Sequence, residues 1–161
     1  MIEIRKAKAG DEEEIWKIIQ ETISTGDTYT FAPESSKEMM LAYWLGPDKH
    51  AYVAIYNNAV AGTFIMKDNQ PGLGSHIANA SYMVARKFGG LGIGKAMGAY
   101  SIAEAARLRY HAMQFNIVVS TNQHAILLWK KLGFEIIGEI PEAFQHRQLG
   151  LISAYIMYRK L

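Results

Sequence analysis

The sequence predicts an α/β fold, a mixed and mainly antiparallel sheet of about seven strands with helices on both faces. Three observations predict it. Seven segments alternate apolar with polar residues or run β-branched, four carry helical spacing, and three of the strand segments follow one another with no helix between them.

The elements follow in order. The opening IEIRKA alternates as a strand, and Gly10 and Asp11 end it. Asp11 and Glu14 have the N-cap to N3 spacing of a capping box, which predicts a helix over 11–23 with Ile15, Ile18 and Ile19 inward. Residues 25–34, TGDTYTFAPE, read as a loop carrying Tyr29 and Phe31. Ser35 and Glu38 repeat the capping signal and start a short helix through Trp44. Past His50 the period becomes two: AYVAIY and VAGTFIMK flank Asn57 and Asn58 as a hairpin, and HIANASYMVA follows the loop DNQPGLGS as a third strand. A glycine cluster leads into a helix over 93–109, then come the β-branched run FNIVVST and a helix over 122–132 that Gly133 ends at its C′ position. The tail reads as two strands, FEIIGEI and LISAYIMYRK, around the loop PEAFQHRQLG. No repeat or linker interrupts the chain, so residues 1–161 are expected to form one domain.

Composition narrows the function. A net charge of +2, without clustered Lys and Arg, argues against a nucleic-acid partner and leaves room for a polyanionic cofactor. The absence of cysteine removes disulfides, thiolate zinc sites and a Cys nucleophile, and fits the cytoplasm. The N-terminal segment lacks the apolar core of a signal peptide, and no run of about 18 apolar residues exists, so neither export nor a membrane partner is expected.

The sharpest motif is GGLGIGK, Gly89 to Lys95, between a strand and a helix. Glycines there let main-chain amides approach a phosphate or pyrophosphate at the positive end of the helix; a flexible turn is the alternative. Gly89, Gly94 and Lys95 keep P-loop spacing, but Ala96 stands where a hydroxyl should ligate magnesium. The dinucleotide fingerprint is missed too, since Gly90, Gly92 and Gly94 are spaced by two and no acidic residue lies near position 114.

What remains is a pyrophosphate loop in mid-chain, and YMVARKFGGLGIGKAM resembles motif A of the GCN5-related N-acetyltransferases. Gly92 and Gly94 fill its glycine positions, while Gly89 replaces the usual Arg or Gln. STNQHAILLWKKLGFEIIG is similar to that family's later motif through Asn122, Ala125, Trp129, Leu132, Gly133 and Phe134. The resemblance implies the acyltransferase fold with a central V-shaped cleft and acetyl-CoA or coenzyme A as cosubstrate. It implies that the strands around Met83 and Val118 splay, with pantetheine bonded to the backbone of Met83 and Val84. Amides from Leu91, Gly92, Ile93, Gly94 and Lys95 would hold the diphosphate, with Asn122 and Trp129 completing the cosubstrate site. The Met83 N–H would serve as oxyanion donor. Residues 75–161 also resemble fungal acetyltransferases of proline analogues such as azetidine-2-carboxylate, which implies substrate contacts from Asn79 and Asn122.

Asparagine orients but cannot act as a base, and Trp129 stands where relatives carry an acidic Tyr. The catalytic set that the resemblance implies is Asn79, Met83 and Asn122. Tyr29, Phe31 and Tyr82 read either as acceptor-pocket walls or as core. His50, His76, His111, His124 and His146 form no zinc-like pair, so no metal is expected; His76 and His146 are the outside candidates for a base. The function expected is acetyl transfer to the amine of a small molecule, an amino acid or proline analogue among them. An antibiotic, polyamine or protein N-terminus as acceptor, and a coenzyme A sensor without turnover, are the alternatives. The resemblance also implies a homodimer, with the apolar LISAYIMY contributing.

Overall fold

A computed structural model describes residues 1–161. The chain runs β1 (Ile2–Lys6), α1 (Glu12–Ile23), α2 (Lys37–Trp44), β2 (His50–Tyr56), β3 (Ala59–Asp68), β4 (Ile77–Val84), α3 (Ile93–Arg107), β5 (Ala112–Val119), α4 (Gln123–Lys131), β6 (Glu135–His146) and β7 (Gly150–Lys160). One seven-stranded sheet has the order β1-β2-β3-β4-β5-β7-β6, and only the β4–β5 pair is parallel. The Asn57–Asn58 turn has φ of 48° and 61°, as a tight hairpin between right-twisted strands requires.

Alternation along the strands supplies both faces with a core. One face, with Tyr52, Phe64, Ala78, Ala80 and Phe115, packs under Ile93 and Met97 of α3 and Ile126 and Trp129 of α4. The other, with Val53, Ile65 and Met83, packs under Ile15, Ile18, Ile19 and Ile23 of α1 and Met40 and Trp44 of α2. Gly98 permits the close seating of α3 on α4, since a Cβ there would lie 2.6 Å from Leu132 Cδ1.

Three local expectations are corrected. Asp11 does not cap α1, because its carboxylate takes a bidentate pair from Arg5 at 2.7 and 2.9 Å and the Lys8 N–H at 2.8 Å, while Glu14 pairs with Lys17. The cap of α2 is Ser36, whose hydroxyl accepts from Met39 N–H; Ser35 bonds back to the Ala32 carbonyl. The last hairpin is longer than its pattern, with β6 running to His146. A register shift between Ile140 and Phe144, with Glu142 at φ 52°, absorbs Pro141 without costing the ladder.

The face under α3 holds one charge network. Glu104 is buried, accepts from the Tyr52 hydroxyl at 2.7 Å and from Arg107 at 2.7 and 2.8 Å, and its carboxyl is held at about 2, chiefly by the Arg107 hydrogen bond. A depressed carboxyl stabilises the fold above its unfolded value, and that contribution fades as pH falls from about 4.5 towards 2. Glu104→Gln is therefore expected to flatten the fall of melting temperature across this window. Superimposable pH profiles for the two proteins would show that the network carries no acid lability.

Candidate active site

Strands β4 and β5 touch only at their starts, pairing Ile77 with Ala112 and Ala78 with Met113, after which they part. A notch therefore opens beside the C-terminal half of β4. Which groups line it is set by the β3 ladder. Ala85 N–H donates to the Ala61 carbonyl and Asn69 N–H to the Ile77 carbonyl, so odd-numbered residues of β4 spend their main-chain groups on β3. The even-numbered residues Ala80, Tyr82 and Val84 turn theirs to the notch. This corrects the expected oxyanion donor: the Met83 N–H belongs to the β3 ladder opposite Thr63, and the donors facing the notch are those of Tyr82 and Val84.

At the mouth of the notch the chain turns through Gly89 and Gly90 into α3, with Gly92 at φ 80° as N-cap. No side chain caps this helix, and its ladder begins with Ala96 N–H on the Gly92 carbonyl, so the N–H groups of Ile93, Gly94 and Lys95 are free. The Ile93 side chain is core, so its part in any anion site is its amide alone. Leu91 and Lys95 are exposed. Arg86 and Lys87, exposed on the turn just before the loop, add two cations that motif reading passed over because they precede the glycines. Main-chain amides, a helix N-terminus and three exposed cations give this end of the notch the donors and positive charge that suit a polyphosphate.

Asn122 caps α4, its side chain accepting from Ala125 N–H at 3.3 Å. Asn79 lies elsewhere. Its amide donates to the Gln114 carbonyl at 3.0 Å across the apex of the notch, level with a residue five positions before Val119. At about 3.3 Å per strand residue the two asparagines stand about 17 Å apart along β5, so they do not form one clamp. Asn79 reaches the face of α1 and α2 with Met83, whereas Asn122 belongs with the glycine loop.

The expected aromatic residues separate by face. Of its two readings Tyr82 takes the core one: its ring stacks on Phe64 and lies 4.7 Å from Trp129, and its hydroxyl pairs with Ser101 at 2.7 Å. Burial pushes that phenol up. Trp129 itself packs against Tyr82, Phe115 and Phe134 and is buried in the core. Tyr29 and Phe31 stand on the opposite face, in a row with Tyr43 at centroid distances of 6.2 and 5.3 Å. The Tyr29 hydroxyl enters the notch, where it accepts from the Tyr82 N–H at 2.9 Å and donates to the Tyr82 carbonyl. Burial raises its pKa to about 12.

Neither outside histidine is placed as a base. His146 Nδ1 accepts from the N–H groups of Gln148 and Leu149 at 3.1 Å each, so Nε2 carries the hydrogen. His76, its ring 6.1 Å from His111, is six residues before Tyr82, about 20 Å away along β4.

Comparison with known proteins gives a consistent set. The sequence model of the Acetyltransferase (GNAT) family matches residues 14–134. The chain is 32% identical over 111 residues to N-acetyltransferase aca1 of Schizosaccharomyces pombe, an alignment covering 68% of this chain and 53% of that protein. It thus spans about half the length of that curated relative. A GCN5-related N-acetyltransferase from Kribbella flavida superimposes with a TM-score of 0.94 at 38% identity, covering 99% of this chain and 98% of the other. A phosphinothricin acetyltransferase from Sinorhizobium meliloti, solved with acetyl-CoA, shares the fold with a TM-score of 0.86 at 24% identity, over 99% and 88% of the two chains.

Proposed function

Because this chain belongs to the acetyltransferase (GNAT) family, we propose that it transfers acetyl from acetyl-CoA to the amine of a small carboxylate-bearing molecule, an amino acid or a proline analogue. The observation that carries the reading is the β4 edge at Tyr82 and Val84, which no strand pairs and which only the Tyr29 hydroxyl touches at Tyr82, together with three free amides at Ile93, Gly94 and Lys95. An extended amide arm fits the edge as an added strand, and its diphosphate fits the helix start with Arg86, Lys87 and Lys95 around it. The thioester carbonyl then falls on the Tyr82 N–H, a fixed donor worth roughly 2.7–4 kcal/mol where charge develops. Holding both reactants in register is worth up to roughly 7–11 kcal/mol more.

The acceptor enters from the α1 and α2 face, between the aromatic row and Asn79. The Asn79 amide nitrogen is spent on Gln114, so its oxygen is left to accept an amine N–H. Directly opposite Asn79 in the β3–β4 register stands Lys67, its ammonium 5.7 Å from the Tyr43 ring, while the neighbouring Asp48 carboxylate is bonded by Lys49. A cation beside the amine acceptor supports a substrate that carries its own carboxylate. Asn122 is assigned to the cosubstrate rather than to the acceptor.

The same reading takes residues 1–161 as one catalytic unit, working in the cytoplasm as a homodimer. No helix is long and apolar enough to cross a membrane. For the dimer the supporting surface is the free edge of β6, with Ile136 and Ile137 exposed on it and Leu149 and Leu151 exposed at the hairpin end, while the rest of LISAYIMY lies in β7 between β5 and β6.

Calorimetry with acetyl-CoA, followed by thiol release across proline, azetidine-2-carboxylate, phosphinothricin, spermidine, an aminoglycoside and a peptide N-terminus, tests the reading. Binding with fastest release on an amino acid is expected. Binding with no release on any acceptor would make the protein a sensor, and fastest release on spermidine, the aminoglycoside or the peptide would overturn the acceptor class.

A further inference from the structure

Beyond its apex, where the Asn79 amide bonds the Gln114 carbonyl, the notch receives a phenol from a loop 53 residues away in sequence. The Tyr29 hydroxyl takes the Tyr82 N–H at 2.9 Å and gives its own hydrogen to the Tyr82 carbonyl, satisfying both main-chain groups that β5 leaves behind when it parts from β4. Those are the groups that the proposed acetyl transfer assigns to the thioester, so the phenol oxygen stands where the thioester carbonyl oxygen belongs. A thioester that claims the Tyr82 N–H displaces this oxygen by about one hydrogen-bond length, roughly 3 Å. The sulfur is bonded to the same carbonyl carbon, within that distance of its oxygen. No other acid competes for the sulfur: the Tyr82 hydroxyl is tied to Ser101 on the far face, and Trp129 has only an indole N–H, enclosed by aromatic rings.

Resting on the acetyl-transfer reading, we infer that Tyr29 is a catalytic residue: its hydroxyl holds the oxyanion position in the free protein and, once displaced by the thioester, protonates the departing thiolate. The step balances. The amine nitrogen attacks the carbonyl carbon, the N–C bond forms, and the carbonyl π pair moves to oxygen against the Tyr82 N–H. Collapse restores C=O and breaks C–S, the bonding pair goes to sulfur, and sulfur takes the Tyr29 proton. The nitrogen, carrying one proton too many, returns it to the Tyr29 phenolate, leaving an amide, a thiol and a neutral tyrosine. Burial keeps the phenol in its neutral, proton-bearing form and also makes it a weaker acid, so its proton passes to sulfur only as the amine nitrogen resupplies one. Its row with Phe31 and Tyr43 gives it a packed support on the acceptor side.

The test is Tyr29→Phe, assayed with acetyl-CoA and the fastest acceptor of the unaltered protein. A fall in kcat of about 100-fold is expected. Acetyl-CoA affinity by calorimetry should stay level or rise up to about tenfold, because a competing hydrogen bond has gone. A kcat within about threefold of the unaltered protein overturns the assignment, and so does a parallel loss of affinity and kcat, the mark of a merely structural tyrosine. Should the Phe variant fail to fold, 3,5-difluorotyrosine at position 29 keeps both hydrogen bonds with a more acidic phenol. It should move the alkaline limb of kcat to lower pH, and an unmoved limb overturns the proposal. If the unaltered protein binds acetyl-CoA yet releases no thiol, the acetyl-transfer reading fails and this assignment falls with it; if the unaltered protein turns over and the Tyr29 variants match it, that reading stands and the assignment alone falls.

Discussion

Gly92→Val is expected to weaken acetyl-CoA binding by at least about 100-fold, close to 3 kcal/mol, while the protein stays folded. Gly92 holds φ at 80°, which a β-branched residue reaches only with strain, and it does so as the N-cap of α3. A Cβ there meets no protein atom within 4 Å, so the strain is confined to the backbone and the added side chain points at nothing of the fold. The damage falls on the cradle: relaxing φ swings the Ile93, Gly94 and Lys95 amides out of convergence, and the branched side chain stands in the diphosphate's approach. Calorimetry reads the affinity and a melting curve reads the fold. An affinity within about threefold of the unaltered protein would mean that the amides of this loop do not grip the cosubstrate.

The second large effect is structural. Trp44→Ala is expected to cost about 3–5 kcal/mol, a substantial share of the 5–15 kcal/mol that holds a domain of this size. Trp44 is fully buried at the end of α2, and its indole donates to the Thr63 hydroxyl at 3.0 Å, which itself donates to the Tyr52 carbonyl at 2.8 Å. The substitution leaves a cavity beneath α2 and loosens the support of Tyr43, Phe31 and Tyr29 above the notch. Denaturant titration should show the loss with an unchanged slope, and kcat should fall further than the folded fraction does. A loss below about 1 kcal/mol would mean that α2 is not anchored through this residue.

Much of this was open to reading before the fold was known. The hairpin at Asn57–Asn58, the start of α3 after the glycines and the cap of α4 at Asn122 depend on residues within a few positions of one another, and each stands where its pattern put it. The cap at Asp11 failed because Arg5 claims the carboxylate across β1, a competitor the i to i+3 spacing does not reveal. The end of β6 was missed because Pro141 reads as a strand breaker unless a bulge can take it up. The candidate site divides in the same way: Gly92, Gly94 and Lys95 lie within four positions of one another and their loop is legible, whereas the Met83 N–H faces β3 rather than the notch, and a shift of one reverses the edge to which every main-chain group points.

Local order therefore determined the elements, the two-faced strands, the anion loop and the family to which the chain belongs, since short-range spacing alone carries that information. Tertiary structure decided which β4 amides are free and which tyrosine reaches them. The first follows from the register of β4 on β3, pinned by the Ala85–Ala61 bond, and the second from a loop folded back across the sheet. Both are contacts between residues distant in sequence, and a pattern along one chain has no term for the partner that completes it.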